Sequence, residues 1–322
     1  MRSTIWVLSW VLIALYGCKE TDKTAEEVAK INVKLEVSRF DREFADAKPE
    51  DISELKKSYP YLFPESYPDS VWVAKAQDTL QVQLQQEVKS VFPDFDSQLT
   101  ELESLFRHIK YYYPNTPVPE VVTVTSDVDY NNRVILTDSL LLIGLDNYLG
   151  PSHEFYSVIP KFVANGLDKK FLQADVASAF AKKVIPSPKE RTFLAKMIYY
   201  GKELYLKQAL LPQAAEEVII GYDPEQLEWA TVNEEQVWRY FMERELLYST
   251  DNKLGPRFLD PAPFSKFQLE LDNESPGRLG RYIGWQIVKA FMDNNKVSLQ
   301  EMLTLPEEAL FKKSKFKPRK LD

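Results

Sequence analysis

One cysteine and two histidines are all that 322 residues offer to thiolate or imidazole chemistry. A single thiol, Cys18, makes no intrachain disulfide and builds no thiolate metal site. His108 and His153 are too few for a helical zinc hydrolase, which needs two imidazoles on one face and a further ligand. His153-Glu154 opens like an HExxH motif, but position 157 is Ser157. The Walker A and G-x-G-x-x-G phosphate loops are missing, and so is the G-x-S-x-G elbow of serine hydrolases. Basic excess is missing as well. Forty Lys and Arg against forty-eight Asp and Glu give a net charge of -8 and a pI near 5.2. Without a broad basic stripe, the chain lacks the electrostatic footprint of a nucleic-acid binder. The expectation is a protein with no cofactor, no metal, no nucleic acid and no evident small-molecule ligand.

What is present begins at the N-terminus. Arg2 supplies a positive region, and Ile5 to Leu15 is apolar apart from Ser9. The stretch is too short to span a bilayer comfortably and has the form of a secretory h-region. It runs into Leu15-Tyr16-Gly17-Cys18, the arrangement of a bacterial lipobox, in which the cysteine is acylated (palmitate, for example) and becomes the new N-terminus. Tyr16 is bulkier than the small residue usual two places before such a cysteine. An uncleaved N-terminal anchor is the alternative reading, and it too leaves the chain exported and membrane-tethered. The expected organisation is a signal peptide over 1–17, a polar tether over 18–30, and a single α+β domain over 31–322.

A hydrophobic fraction of 44% with 13% aromatics is enough for a substantial core, so disorder is not the default. Ile31, Val33, Leu35 and Val37 alternate with polar neighbours, the pattern of a half-buried strand. Helical patterns follow over 70–91 and 94–112, separated by Pro93. Strand-like segments follow at 121–125, 133–137 and 140–145. From there the pattern is almost wholly helical, over 155–165, 171–184, 188–209, 223–247, 277–293 and 298–304. Asp223-Pro224-Glu225 reads as an N-cap followed by Pro at the first helical position. The fold class is α+β, mostly helical, with a small sheet in the N-terminal half.

Several segments invite a chemical reading. Asp127, Asp129, Asn131 and Asp138 faintly resemble a calcium loop, but its sixth position is Asn132 where glycine is needed, so a polar turn is favoured. Gly277, Gly280 and Gly284 are spaced to lie on one helical face, which serves close helix–helix approach and not phosphate binding. The most distinctive stretch is Phe264 to Arg278. In it Glu270, Asp272, Asn273 and Glu274 precede Arg278, Arg281 and Trp285. Two carboxylates in a cleft could work as general acid and base, which makes an envelope hydrolase the alternative function. Acids paired with the two arginines in a structural or partner-binding network are favoured, because no third element of a mechanism is present. An aromatic-rich region, Trp229, Trp238, Tyr240, Phe241 and Tyr248, reads as core, with Asn233, Glu234 and Glu235 solvated between them.

Several stretches carry a family likeness: Met197-Ile-Tyr-Tyr-Gly-Lys-Glu-Leu-Tyr205, Ala209-Leu-Leu-Pro212, Asn233-Glu234, Trp238-x-Tyr240-Phe241, Leu246-Leu-Tyr-Ser-Thr-Asp251, and Ala262 through Arg278 to Ile283-Gly-Trp-Gln-Ile287. With them the chain resembles the gliding-motility lipoprotein GldB family of the Bacteroidota over nearly its whole length. The resemblance implies an envelope protein, lipid-anchored at Cys18 and facing the periplasm. It also implies a requirement in gliding, a process tied to the type IX secretion apparatus, through contacts with other machinery proteins. It implies no enzymatic activity. A more remote likeness links Gly280–Phe291 and Ser298–Leu303 to zincin-type proteases. There the counterpart of their HExxH helix, Asp175 to Phe180, has neither histidine nor glutamate, which implies a zincin-like scaffold without its metal.

Overall fold

The computed structural model describes residues 18–268 and 272–320. The expected signal peptide and Glu270 lie outside the described residues. In chain order the elements are α1 (Cys18–Ala29), β1 (Val37–Ser38), α2 (Phe40–Ala45), α3 (Ile52–Ser58), α4 (Asp69–Ala76), α5 (Thr79–Val91) and α6 (Asp96–Tyr112). Next come β2 (Glu120–Val124), β3 (Val134–Leu136) and β4 (Leu140–Gly144). The remainder is helical: α7 (Lys161–Ala164), α8 (Leu172–Val184), α9 (Phe193–Leu210), α10 (Glu216–Ile220), α11 (Pro224–Val232), α12 (Glu234–Glu243), α13 (Leu254–Phe258), α14 (Leu279–Asn294), α15 (Leu299–Thr304) and α16 (Glu307–Ser314). The class is α+β and mostly helical. None of the helices among the described residues is long and apolar enough to cross a membrane.

The sheet order is β1-β2-β4-β3, with β1/β2 and β2/β4 parallel and β3/β4 antiparallel. Successive side chains of a strand point to opposite faces, and both faces of this small sheet are covered. Val121, Leu141 and Ile143 enter the main core. Val122, Leu140 and Leu142 meet a separate cluster of Phe40, Phe44, Ile52, Tyr59 and Phe63 from α2, α3 and the turns after them. That double burial explains why 140–145 is continuously apolar instead of alternating. The main buried cluster runs from Val33 to Leu310.

Several sequence expectations change in detail. Burial alternates along 31–37 as the pattern requires, with Val33 and Leu35 inside, yet only Val37 and Ser38 pair with β2. The single helix expected over 70–91 is two, because Asp78 accepts from the amides of Leu80 and Gln81 at 3.0 and 3.1 Å and starts α5 anew. The helix expected over 223–247 likewise breaks at Asn233. The segment read as a polar tether is helical as α1, which packs on α6 and buries Val28.

At the centre, α9 packs against α8, α10, α14, α15 and α16. Its contact with α14 is backbone on backbone. A Cβ added at Gly284 would lie 1.9 Å from the Met197 carbonyl oxygen, and one at Gly201 would lie 2.2 Å from the Gly284 oxygen. The close approach expected of the glycine-spaced helix is realised at Gly284 and Gly280. Gly277 precedes the helix and instead touches the Ala262 backbone.

Candidate functional site

Two places on this frame bring polar and aromatic groups together. The first is a groove of about 330 Å³ between α11–α12 and the loop before α14. Trp229, Asn233, Val237 and Tyr240 recur at helical spacing and form one wall, and Phe267, Asp272 and Ser275 form the other. The loop wall is pinned to the helices. Tyr240 donates its hydroxyl to the Phe267 carbonyl at 2.7 Å, their rings meet edge-on at 5.0 Å, and Arg257 Nε donates to the Lys266 carbonyl at 2.8 Å. The Ser275 hydroxyl lies 2.7 Å from the Asp272 carbonyl and 3.1 Å from that of Ser265. Gln236, Arg239 and Glu243 give the groove a polar rim.

The second place is a cluster of charged side chains from the residue before β3, α8, α9 and the start of α14. Arg133 grips Asp175 with two nitrogens, each at 2.8 Å, and the Tyr148 hydroxyl donates to the same carboxylate at 3.0 Å. On α9, Tyr200, Glu203 and Lys207 share a face by their i, i+3, i+7 spacing. Glu203 and Lys207 are buried. Arg278 donates to the Gly221 carbonyl at 2.5 Å and lies 5.3 Å from the centre of the Tyr222 ring. Arg281 donates to the Leu259 carbonyl and lies 3.8 Å from the centre of the Tyr200 ring. Burial lowers Lys207 to about 8; Glu203 and Asp175 oppose that shift and the charges of Arg278 and Arg281 add to it. Burial likewise lowers Arg278 to about 10, with Tyr222 acting against it and Arg281 and Arg133 with it. It pushes the Tyr148 hydroxyl well up. Perturbed groups gathered in one place are a recognised mark of functional sites.

The residues singled out from sequence are dispersed. Asp272 lies on the groove wall and accepts the Gln268 amide at 2.8 Å, while Asn273 and Glu274 are exposed. Arg278 and Arg281 turn the other way, into the charged cluster. Among the described residues both arginines bond main-chain carbonyls, Arg278 that of Gly221 and Arg281 that of Leu259. Trp285 is fully buried beside Lys289, whose ammonium sits 3.8 Å from the ring centre, so it belongs to the core. Cys18 is the first residue of α1. Glu234, expected to be solvated, is 5% exposed and accepts from the Tyr282 hydroxyl at 3.0 Å and the Arg319 amide at 2.8 Å.

The Asp127–Asp138 segment is tied up by protein partners. Asp127 pairs with Lys75, Asp129 caps its own turn through Asn131 and Asn132, and Asp138 pairs with Lys183. His108 bonds the Ser104 carbonyl, and His153 meets Glu87 at 3.2 Å. Among the described residues no group of three or more His, Cys, Asp or Glu is gathered as a metal site would need. Sequence reasoning missed this charged cluster; Glu203 and Lys207 are two of four charged residues on α9, with Lys196 and Lys202, and nothing in their spacing sets them apart.

The family described as gliding motility protein GldB has a model that matches residues 21–318 of this chain. No curated protein and no solved structure matches it.

Proposed function

This chain belongs to the gliding motility protein GldB family, and from that premise we propose an envelope lipoprotein without enzymatic activity. An acyl chain on Cys18 holds it on a membrane with its body facing the periplasm. It acts by binding another protein of the gliding machinery, the apparatus coupled to type IX secretion. The groove between α11–α12 and Phe267, Asp272 and Ser275 carries this reading. Its volume of about 330 Å³ admits one or two large apolar side chains, and aromatic walls with a polar rim are how proteins receive an anchor residue. The occupant is an aromatic or aliphatic anchor on a neighbouring envelope protein.

The test is made in gliding cells. A photo-crosslinker at Gln236 is expected to capture one discrete partner. Trp229→Ala with Tyr240→Ala is expected to abolish both that product and gliding at normal protein abundance. Unchanged motility and an unchanged cross-link would reject the groove. Cys18→Ser is expected to release the protein from the membrane fraction. Asp272→Asn and Glu274→Gln address the hydrolase alternative, since motility is expected to survive both.

A further inference from the structure

The charged cluster holds more positive charge than its own carboxylates balance. Arg133 and Asp175 cancel as a two-nitrogen pair. That leaves Lys207, Arg278 and Arg281 opposite Glu203, three cations less one carboxylate, an excess of two in a chain whose net charge is -8. Lys207 is 7% exposed, and its ammonium makes no hydrogen bond or ion pair among the described residues. Each arginine commits one nitrogen to a carbonyl, Arg278 to Gly221 and Arg281 to Leu259. A guanidinium carries five N–H donors, so most of each fork stays open to an incoming acceptor. The two forks are steadied by Tyr222 and Tyr200, and the Tyr222 hydroxyl is itself fixed on the Gly277 carbonyl at 2.5 Å. Arg278 caps α14 in the left-handed conformation, φ 61 and ψ 23, which a non-glycine residue adopts at a cost.

Lys207 is buried and Arg278 and Arg281 are half-buried. Like charges gathered where water is scarce repel one another; among the described residues Glu203 offsets only one of the three. We propose that this cluster of Lys207, Arg278 and Arg281 binds a phosphate dianion, either free or as the terminal phosphoryl group of a phosphomonoester. The charge matches: such a group carries about -1.5 to -2 near neutral pH and offers three strong acceptor oxygens. The donors match as well, with one ammonium from α9 and two forks from the start of α14, and arginine forks suit phosphate oxygens geometrically.

The experiment uses the purified full-length protein in detergent micelles in phosphate-free buffer, with ionic strength held constant by chloride. Inorganic phosphate is titrated and followed by thermal unfolding and by ³¹P line broadening. The expected result is a rise in Tm and broadening with phosphate that chloride does not reproduce. Lys207→Met keeps the stem and removes the charge. It is expected to fold with a higher Tm than the parent in the absence of phosphate, and to bind phosphate at least about tenfold more weakly. Arg281→Gln is expected to weaken binding by a similar factor while leaving Lys207 in place. Equal responses to phosphate and chloride, or equal phosphate affinity in the parent and both variants, would overturn the proposal. Micelles doped with phosphatidic acid distinguish the sources. If the doped lipid displaces inorganic phosphate, the cluster takes a lipid phosphomonoester; if it does not, the cluster takes the free ion.

Discussion

Replacing Gly284 by alanine sets two simple expectations against each other. Helix propensity favours the change, because alanine gains ~1 kcal/mol over glycine inside a helix. The crossing with α9 opposes it. The new methyl would sit 1.9 Å from the Met197 carbonyl oxygen and 2.5 Å from its carbonyl carbon. An ordinary carbon–oxygen contact is ~3.3 Å or more, so the two helices must part by about 1.4 Å. The obstacle is main chain, so no rotamer change relieves it, and the seam from Phe193 through Met197 to Gly201 loses contact together. Overpacking of this kind costs ~1–3 kcal/mol, and a backbone clash belongs at the upper end. Net of the propensity gain, Gly284→Ala is expected to destabilise by about 2 kcal/mol, read as a lowered urea midpoint. Gly201→Ala contests the same gap, so the double substitution is expected to cost less than the sum of the two singles. If Gly284→Ala proved as stable as the parent, the backbone-on-backbone account of the α9–α14 seam would be refuted.

Lys207 makes stability depend on pH. Its folded value is lowered to about 8 from an unfolded 10.5, so between those limits the unfolded chain binds more protons. In phosphate-free buffer stability is therefore expected to rise as pH climbs from about 8 towards 10, by up to about 3 kcal/mol, and Lys207→Met is expected to flatten that rise. Glu234→Ala strands the Tyr282 hydroxyl and the Arg319 amide. It is expected to cost ~1–3 kcal/mol and to expose the chain after Ser314 to limited proteolysis. Lys202 and Glu307 form a buried pair at 3.0 Å, with Lys202 also donating to the Leu305 carbonyl at 2.6 Å. Glu307→Gln leaves that lysine uncompensated and is expected to cost ~3–5 kcal/mol in chemical denaturation, far more than Lys57→Met at an exposed pair.

Local signals carried the secondary structure well and tertiary choices poorly. The apolar stripe of α6 and the strand segments of β2 and β4 were legible because their periods are local. The Asp78 cap was also written in the chain, but the apolar positions on either side of it continue in phase and mask the break. α16 was missed although Glu307-Glu308 and Lys312-Lys313 mark its two ends as a helix dipole favours. The site residues were harder for a physical reason. Glu234 finds its partners 48 and 85 residues away, and the charged cluster joins Arg133, Asp175, Lys207 and Arg278 across four separate segments. No period or spacing encodes such meetings. Arg278 stands out in sequence, but the groups it meets, Gly221 and Tyr222, lie more than fifty residues away along the chain. In the aromatic region read as core, Phe241 is fully buried, while Trp229, Trp238 and Tyr240 pack against the core half-buried, Trp229 and Tyr240 lining the groove as well, and Tyr248 is exposed.

The helix α1 has a mechanical consequence. Twelve helical residues span ~18 Å, against ~40 Å for the same chain drawn out. α1 is also seated on α6 at its far end, where Val28 is buried. A segment of that kind behaves as a short strut and not as a rope. Were Cys18 held at a membrane, as proposed, tension along the surface would reach the body as torque, and the body would hold one heading instead of swinging freely. Inserting a few glycines between Ala29 and Val33 would turn strut into rope with the anchor and the fold unchanged. For a protein of a machine that moves cells, stiffness between anchor and body is then as much a design variable as affinity.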